Sequence, residues 1–176
     1  KNKINIGIKT ILEICKIENN PSTYHLGYVI GPRINAGGRV GKCSHGANLL
    51  LNSDAKQSFK LASELNSYNK ERQLLESNLL KNVLEKGLKS LSDPVLILHG
   101  DNWHEGIIGI VASRIKEKYN KPTIIISVKD NIGKASARSI LGFDIGSVII
   151  SATQKGILLK GGGHKMAGGF TISMEK

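Results

Sequence analysis

The residues with chemistry to offer gather at four points of the chain. Gly161–Phe170 reads GGGHKMAGGF, five glycines in ten residues around His164 and Lys165. Glycine is the residue for φ > 0 and for close approach of backbone to a ligand. The stretch is therefore expected to answer a backbone demand rather than a packing one. The bare N–H groups of Gly161, Gly162 and Gly163, running into His164, suit a bound anion, above all a phosphate. The competing reading is a tight turn between two strands with a solvated His and Lys.

Tyr24–Gly46 is the second point, with Arg33, Asn35 and Arg39 within seven residues. It reads as an irregular, glycine-rich loop. Gly37-Gly38 would turn it sharply and set Arg39 beside Arg33. Two guanidinium forks with an amide can grip phosphate; a surface loop with exposed arginines is the alternative. The third point, Asp101–Gly106, lies between a strand and a helix, where α/β sheets collect ligands. Trp103, the single tryptophan, can stack on a base or cap the sheet. His104 can donate to a phosphate, act as acid or base, or cap the helix. Gly106 is expected to leave the N–H groups of that helix accessible. The fourth point is Ser136-Ala137-Arg138-Ser139. Strand alternation puts Ser136 and Arg138 on one face. Arg138, in buried-looking surroundings, needs a partner, either Asp144 or a ligand phosphate.

Metal chemistry has no visible seat. The carboxylates are dispersed, and the five histidines show neither HxH nor HExxH spacing. Cys15 and Cys43 form no metal-type pair. No nucleophile elbow or Walker loop occurs. A complete hydrolytic centre is not visible, whereas phosphate and nucleic-acid contacts are.

The elements that must position these residues follow from periodicity. Apolar residues at 4, 8, 11, 12, 14 and 15 predict a short amphipathic helix. A helical stretch starts again at Ala47. Ser53–Leu88 keeps a 3–4 apolar spacing and reads as one long helix or a broken pair, with N-cap chemistry at Ser53 and Asp54 and a stop near Gly87. Its length suggests a connector between two lobes. After Asp93-Pro94 the pattern changes. Val95–His99, Pro122–Val128, Lys134–Ser139 and Phe170–Ser173 read as strands, and Gly106–Lys118 and Phe143–Ala152 as helices. Small residues at Gly109, Ala112 and Ser113 suit close packing on a sheet. The class is α/β, with a mixed sheet flanked by helices. The expected divisions are residues 1–52, a connecting helix over 53–90, and a second domain over 91–176, the boundary near Ser90–Asp93.

Aromatics are only 5% of residues, so the core must be aliphatic. A net charge of +11 points to polyanionic partners; a lysine-rich surface typical of A+T-rich coding is the alternative. Cysteine usage makes a reducing cytoplasm the default. No apolar run approaches a membrane span, and no signal peptide is recognisable. The chain lacks an initiator Met and is expected to be a piece of a longer protein.

Four motifs together, GPRINAGGRVG (31–41), WHEGIIGIVASRI (103–115), KASARSILGFDI (134–145) and GGGHKMAGGFTI (161–172), closely resemble the RecJ family of the DHH phosphoesterase superfamily. They occur in the family's order and cover nearly the whole chain. Gly31, Gly37 and Gly168 stand where alanine is expected, changes between small residues. The resemblance implies a single-stranded-DNA-specific 5′-to-3′ exonuclease of DNA repair and recombination, using Mg²⁺ or Mn²⁺. It implies two lobes joined by a long helix, the second a DHHA1-type domain. The metals would be held by Asp-His-His motifs, and no Asp-His-His occurs in these 176 residues. The chain is therefore expected to be inactive by itself and to bind no metal.

Carried over by motif, the resemblance implies that Arg33, Asn35 and Arg39 touch the strand. Ser136 and Arg138 would hold a backbone phosphate. Gly161, Gly162, Gly163 and His164 would bind the terminal or scissile phosphate, His164 and Arg138 with catalytic roles. Trp103 and His104 would line the same side. Single-stranded-DNA-binding protein and a RecQ-type helicase are the implied partners. Two rival readings stay open: a non-catalytic nucleic-acid-binding module, as in alanyl-tRNA synthetases, and an oligoribonuclease or cyclic-dinucleotide phosphodiesterase.

Overall fold

The computed structural model describes residues 4–87 and 92–175. The chain divides into two compact units, Lys1–Leu74 and Leu75–Lys176. The division falls inside one long helix. The boundary expected at Ser90–Asp93 and the helix end expected at Leu88 lie partly or wholly on residues outside the described set.

The first unit is helical. It comprises α1 (Ile6–Ile14), α2 (Thr23–His25), a π-helical turn (Leu26–Ile30), α3 (Gly31–Val40), α4 (Ser44–Leu51) and the first part of α5 (Ala55–Gly87). The Asn5 side chain caps α1 by accepting from the Ile8 N–H. At the start of α5 the Asp54 carboxylate accepts from the Gln57 N–H at 2.6 Å, the capping read from the sequence. Ile11, Leu12, Ile30, Leu49, Leu61, Ala62 and Leu65 form the buried core. Each fully buried Ile or Leu contributes roughly 1.5–3 kcal/mol.

Tyr24–Gly46 is not the irregular loop expected. It is helical over Thr23–Val40. Pro32 sits in the first turn of α3, where its missing N–H costs nothing. Gly37 and Gly46 allow close approach of backbone rather than a turn. A Cβ at Gly37 would stand 2.5 Å from the Lys42 carbonyl oxygen, and one at Gly46 2.7 Å from that of Ile34.

The second unit holds a five-stranded sheet in the order β1-β2-β3-β5-β4. Its strands are β1 (Leu96–Asp101), β2 (Thr123–Lys129), β3 (Ile132–Arg138), β4 (Lys160–His164) and β5 (Ala167–Ser173). β1 and β2 are parallel and joined through α6 (Glu105–Tyr119); the other pairings are antiparallel. β3 begins earlier than its sequence suggests. Asp130 and Asn131 take φ of 50° and 60°, which closes a two-residue hairpin onto the Lys129–Ile132 pair.

Each helix covers one face of the sheet. Buried Ile107, Ile108, Val111, Ala112 and Ile115 line α6, which packs on β2 and β3. Behind the sheet, α7 (Ile145–Gln154) packs on β4 and β5. There Ala137, Ile145, Ile149 and Leu158 form a core with Ile124, Phe170 and Ile172 against it. This is the predicted aliphatic, mixed α/β arrangement.

Candidate nucleic-acid interface

Strand register sets out the site. On the α6 face of the sheet, three rows of residues run across the strands. The first is Thr123, Arg138, Ala167, His164. The second is Ile125, Ser136, Gly169, Gly162. The third is Ser127, Lys134, Thr171, Lys160. The second and third rows border a groove of about 710 Å³, walled on one side by Glu105 and Ile108 of α6. Its floor has almost no side chains, because Gly162 and Gly169 stand there beside Ser136. Nothing lies within 4 Å of where a Gly162 Cβ would be.

Arg138, in the first row, reaches back to Ser136 in the second. Its Nη1 donates to Ser136 Oγ at 3.1 Å and to the Ala137 carbonyl at 2.8 Å. Its Nε donates to Ser113 Oγ at 3.2 Å. Gly109 makes room for this: a Cβ there would stand 2.9 Å from Ser136 Oγ and 3.0 Å from Arg138 Nη2. The small residues of α6 thus hold a guanidinium against a hydroxyl at the groove edge. That pair can present N–H and O–H donors to an anion.

The glycine run departs from expectation in its cause. Gly161–Gly163 lie in β4, an edge strand paired with β5. No glycine in it has a positive φ; among the described glycines only Gly142 and Gly156 do. Gly161 lines the groove with its backbone, but a side chain at Gly161 or Gly163 would point away from it, and both positions answer a packing demand. A Cβ at Gly161 would meet Ile149, Phe170 and Thr153 at 2.7–3.0 Å, and one at Gly163 would meet the backbone of Ala167 and Gly168. Of the three, Gly162 alone leaves open space where a side chain would stand in the groove.

His164 ends β4 one row beyond the floor, exposed, its Nδ1 accepting from the Met166 N–H at 3.3 Å. A Cβ at Gly146 would stand 2.9 Å from the His164 backbone, so the first turn of α7 backs this end of the strand. Asp144 caps α7 by accepting from the Ser147 N–H at 3.0 Å. That hydrogen bond, above all, holds its carboxyl below the ordinary value, with help from the Lys165 charge.

Trp103 and His104 do structural work at the head of α6. The indole lies over Gly100, where a Cβ would collide with it, and the Trp103 carbonyl accepts from Ser127 Oγ. His104 is the N-cap: its Nδ1 accepts from the Gly106 N–H at 3.1 Å. The N–H that was expected to be accessible at Gly106 is therefore engaged. Glu105 follows, and its carboxylate accepts from Lys134 Nζ at 2.8 Å.

The arginines of α3 belong to the first unit and do not pair as expected. Arg33 and Arg39 are six residues apart on a helix, ~120° around its axis. Arg33 is half-buried and donates to Asn66 Oδ1 at 2.9 Å and to the Val29 carbonyl at 2.8 Å. Asn35 and Arg39 are exposed and, four residues apart, share a helix side. Lys134 and Lys160 were missed by motif reading. Their signal was present as lysines at alternating strand positions flanking the SAR and GGG runs.

Among the described residues no three His, Cys, Asp or Glu side chains gather as a metal site would require. These residues do not fit a Mg²⁺ or Mn²⁺ centre. No described helix is long and apolar enough to cross a membrane.

Comparison with known proteins places this geometry. Residues 92–176 match the DHHA1 domain model. The chain is 35% identical over 180 aligned residues to the single-stranded-DNA-specific exonuclease RecJ of Dickeya dadantii, covering 97% of the chain and 31% of that relative. Among solved structures, RecJ in complex with Mg²⁺ from Thermus thermophilus superposes with a TM-score of 0.84 at 30% identity, over 97% of the chain and 26% of that protein. An exonuclease RecJ bound to manganese superposes with a TM-score of 0.83 at 30% identity, covering 97% and 42%. The chain thus spans about a third of the curated relative it matches. An aliphatic mixed sheet, a long preceding helix and a glycine-floored groove beside Ser136 and Arg138 all fall within that matched region, and the chain is the DHHA1-bearing region of a RecJ-family protein.

Proposed function

We propose that the protein carrying this chain is a single-stranded-DNA-specific 5′-to-3′ exonuclease, and that these residues hold the strand while its phosphodiester bond is hydrolysed. The groove beside the Ser136–Arg138 pair carries the reading. Its floor admits backbone phosphate without side-chain obstruction, and its donors are already in place. The Ser136 hydroxyl and the Arg138 guanidinium bind a phosphate. His164, one row away, stabilises charge on the terminal or scissile phosphate. Gly161 and Gly163 hold β4 against its packing partners so that Gly162 can approach the strand. Trp103 and His104 fix the head of α6, which walls the groove.

In the first unit, Asn35 and Arg39 touch the strand, and Arg33 braces the helix that carries them. Residues 91–176 act as the phosphate-binding domain, with 53–90 as its connecting helix and 1–52 as the tail of a metal-binding domain. The related RecJ structures with Mg²⁺ and with manganese support a divalent ion for the cutting step, held by residues other than these. Single-stranded-DNA-binding protein, a RecQ-type helicase and a cytoplasmic location are proposed on the family resemblance.

The test is binding of single-stranded DNA of increasing length, in chelator, across a salt series. Affinity should rise with length and fall with salt. Tight binding of a dinucleotide with no gain on lengthening would overturn the reading in favour of a small-substrate phosphodiesterase. In the full-length protein, Arg138→Ala should lower turnover by ~100-fold; unchanged turnover would make it a structural arginine only.

A further inference from the structure

The third row of the groove brings positive charge to it. Lys134 and Lys160 stand in it on either side of Thr171, and all three line the same groove as Ser136 and Gly162. Strand geometry fixes the spacing. Residues two apart on a strand point to the same face ~7 Å along it. That step is comparable to the distance between successive phosphates of an extended single strand. The second and third rows therefore offer anion contacts at the repeat of the polymer, across a floor free of bulky side chains. Charge agrees with this. Lys160 is exposed, and no ion pair of it is found among the described residues. Lys134 is paired with Glu105 in an arrangement about half open to solvent on both sides, a pair worth at most ~1 kcal/mol and easily exchanged for a phosphate.

We infer that the groove is a two-phosphate site. Lys134 and Lys160 hold the phosphate next to the one on Ser136 and Arg138, and Glu105 competes with that phosphate for Lys134. The inference rests on the proposed strand-holding role and adds the residues that read the polymer's second phosphate.

The probes are thymidine 5′-monophosphate and the 5′-phosphorylated di- and trinucleotides of thymidine, titrated in chelator against the full chain. The wild type should gain affinity from one phosphate to two. Lys160→Gln and Lys134→Gln should each lose ~5-fold on the dinucleotide and leave the mononucleotide unchanged. Each should also lower the salt slope for a longer strand by about one. Glu105→Gln should tighten the dinucleotide, a sign that a merely structural carboxylate would not give. Ser136→Ala should weaken all three ligands. If the lysine variants bind every ligand as the wild type does, or weaken the mononucleotide equally, the inference falls while the strand-holding role stands. If the wild type binds no oligonucleotide, both fall.

Discussion

Arg138 shows how one residue's environment defines its use. Three protein acceptors and a missing Cβ at Gly109 hold its guanidinium beside Ser136. Motif reading named both residues and their common face. It could not see Ser113 and Gly109 as the parts that aim the arginine, because α6 meets β3 only in three dimensions. Asp144 carries a second consequence at this scale. Its carboxyl is held low by the Ser147 amide, so the stabilisation it supplies is full above the unfolded carboxyl value and is lost as pH falls through the folded one. Melting temperatures of the wild type should drop on acidification below about pH 4 more steeply than those of Asp144→Asn, which keeps an acceptor for Ser147 but does not titrate. Parallel curves would remove Asp144 from the pH response.

Among the elements, β4 is the informative one. Its three consecutive glycines have separate tasks, and alanine substitution separates them. Gly163→Ala forces a methyl into the backbone of β5, and Gly161→Ala forces one into Ile149 and Phe170. Each should destabilise by ~1–3 kcal/mol in denaturant unfolding. Gly162→Ala meets no atom within 4 Å. It should leave stability within ~1 kcal/mol and instead weaken oligonucleotide binding. Equal stability losses at all three positions would contradict this division. The same element explains what was legible. β1, β2, α6 and α7 announce themselves because their apolar residues repeat at a strand or helix period. α3 and β4 do not, because glycine carries no period: whether it turns, packs or opens a floor is decided by the neighbour it meets. Hence Gly31–Val40 read as a loop, and Gly161–Gly163 as a turn or cradle rather than a strand.

For the molecule as a whole, the family boundary and the compact boundary differ. The DHHA1 match starts at residue 92, yet the compact second unit starts at Leu75. Between the two lie buried Leu79 and Val83 and Glu76, whose carboxylate accepts from Arg114 Nε of α6 at 3.2 Å. A chain starting at Leu75 should therefore unfold at higher denaturant than one starting at residue 92, by ~3–6 kcal/mol for the two apolar side chains. Equal stability would place the fold's true beginning at 92. Sequence periodicity left Ser53–Leu88 as one long helix or a broken pair and could not apportion it between units, since its apolar spacing continues through Leu74 and Leu75. The edge position of β4 has one more consequence. An open sheet can accept a foreign strand along its rim and so seed aggregation. Here one rim is built from three glycines, poor strand formers, flanked by Lys160 and Lys165. The composition that clears the groove also makes this rim a poor template for self-association, which helps a basic protein stay dispersed.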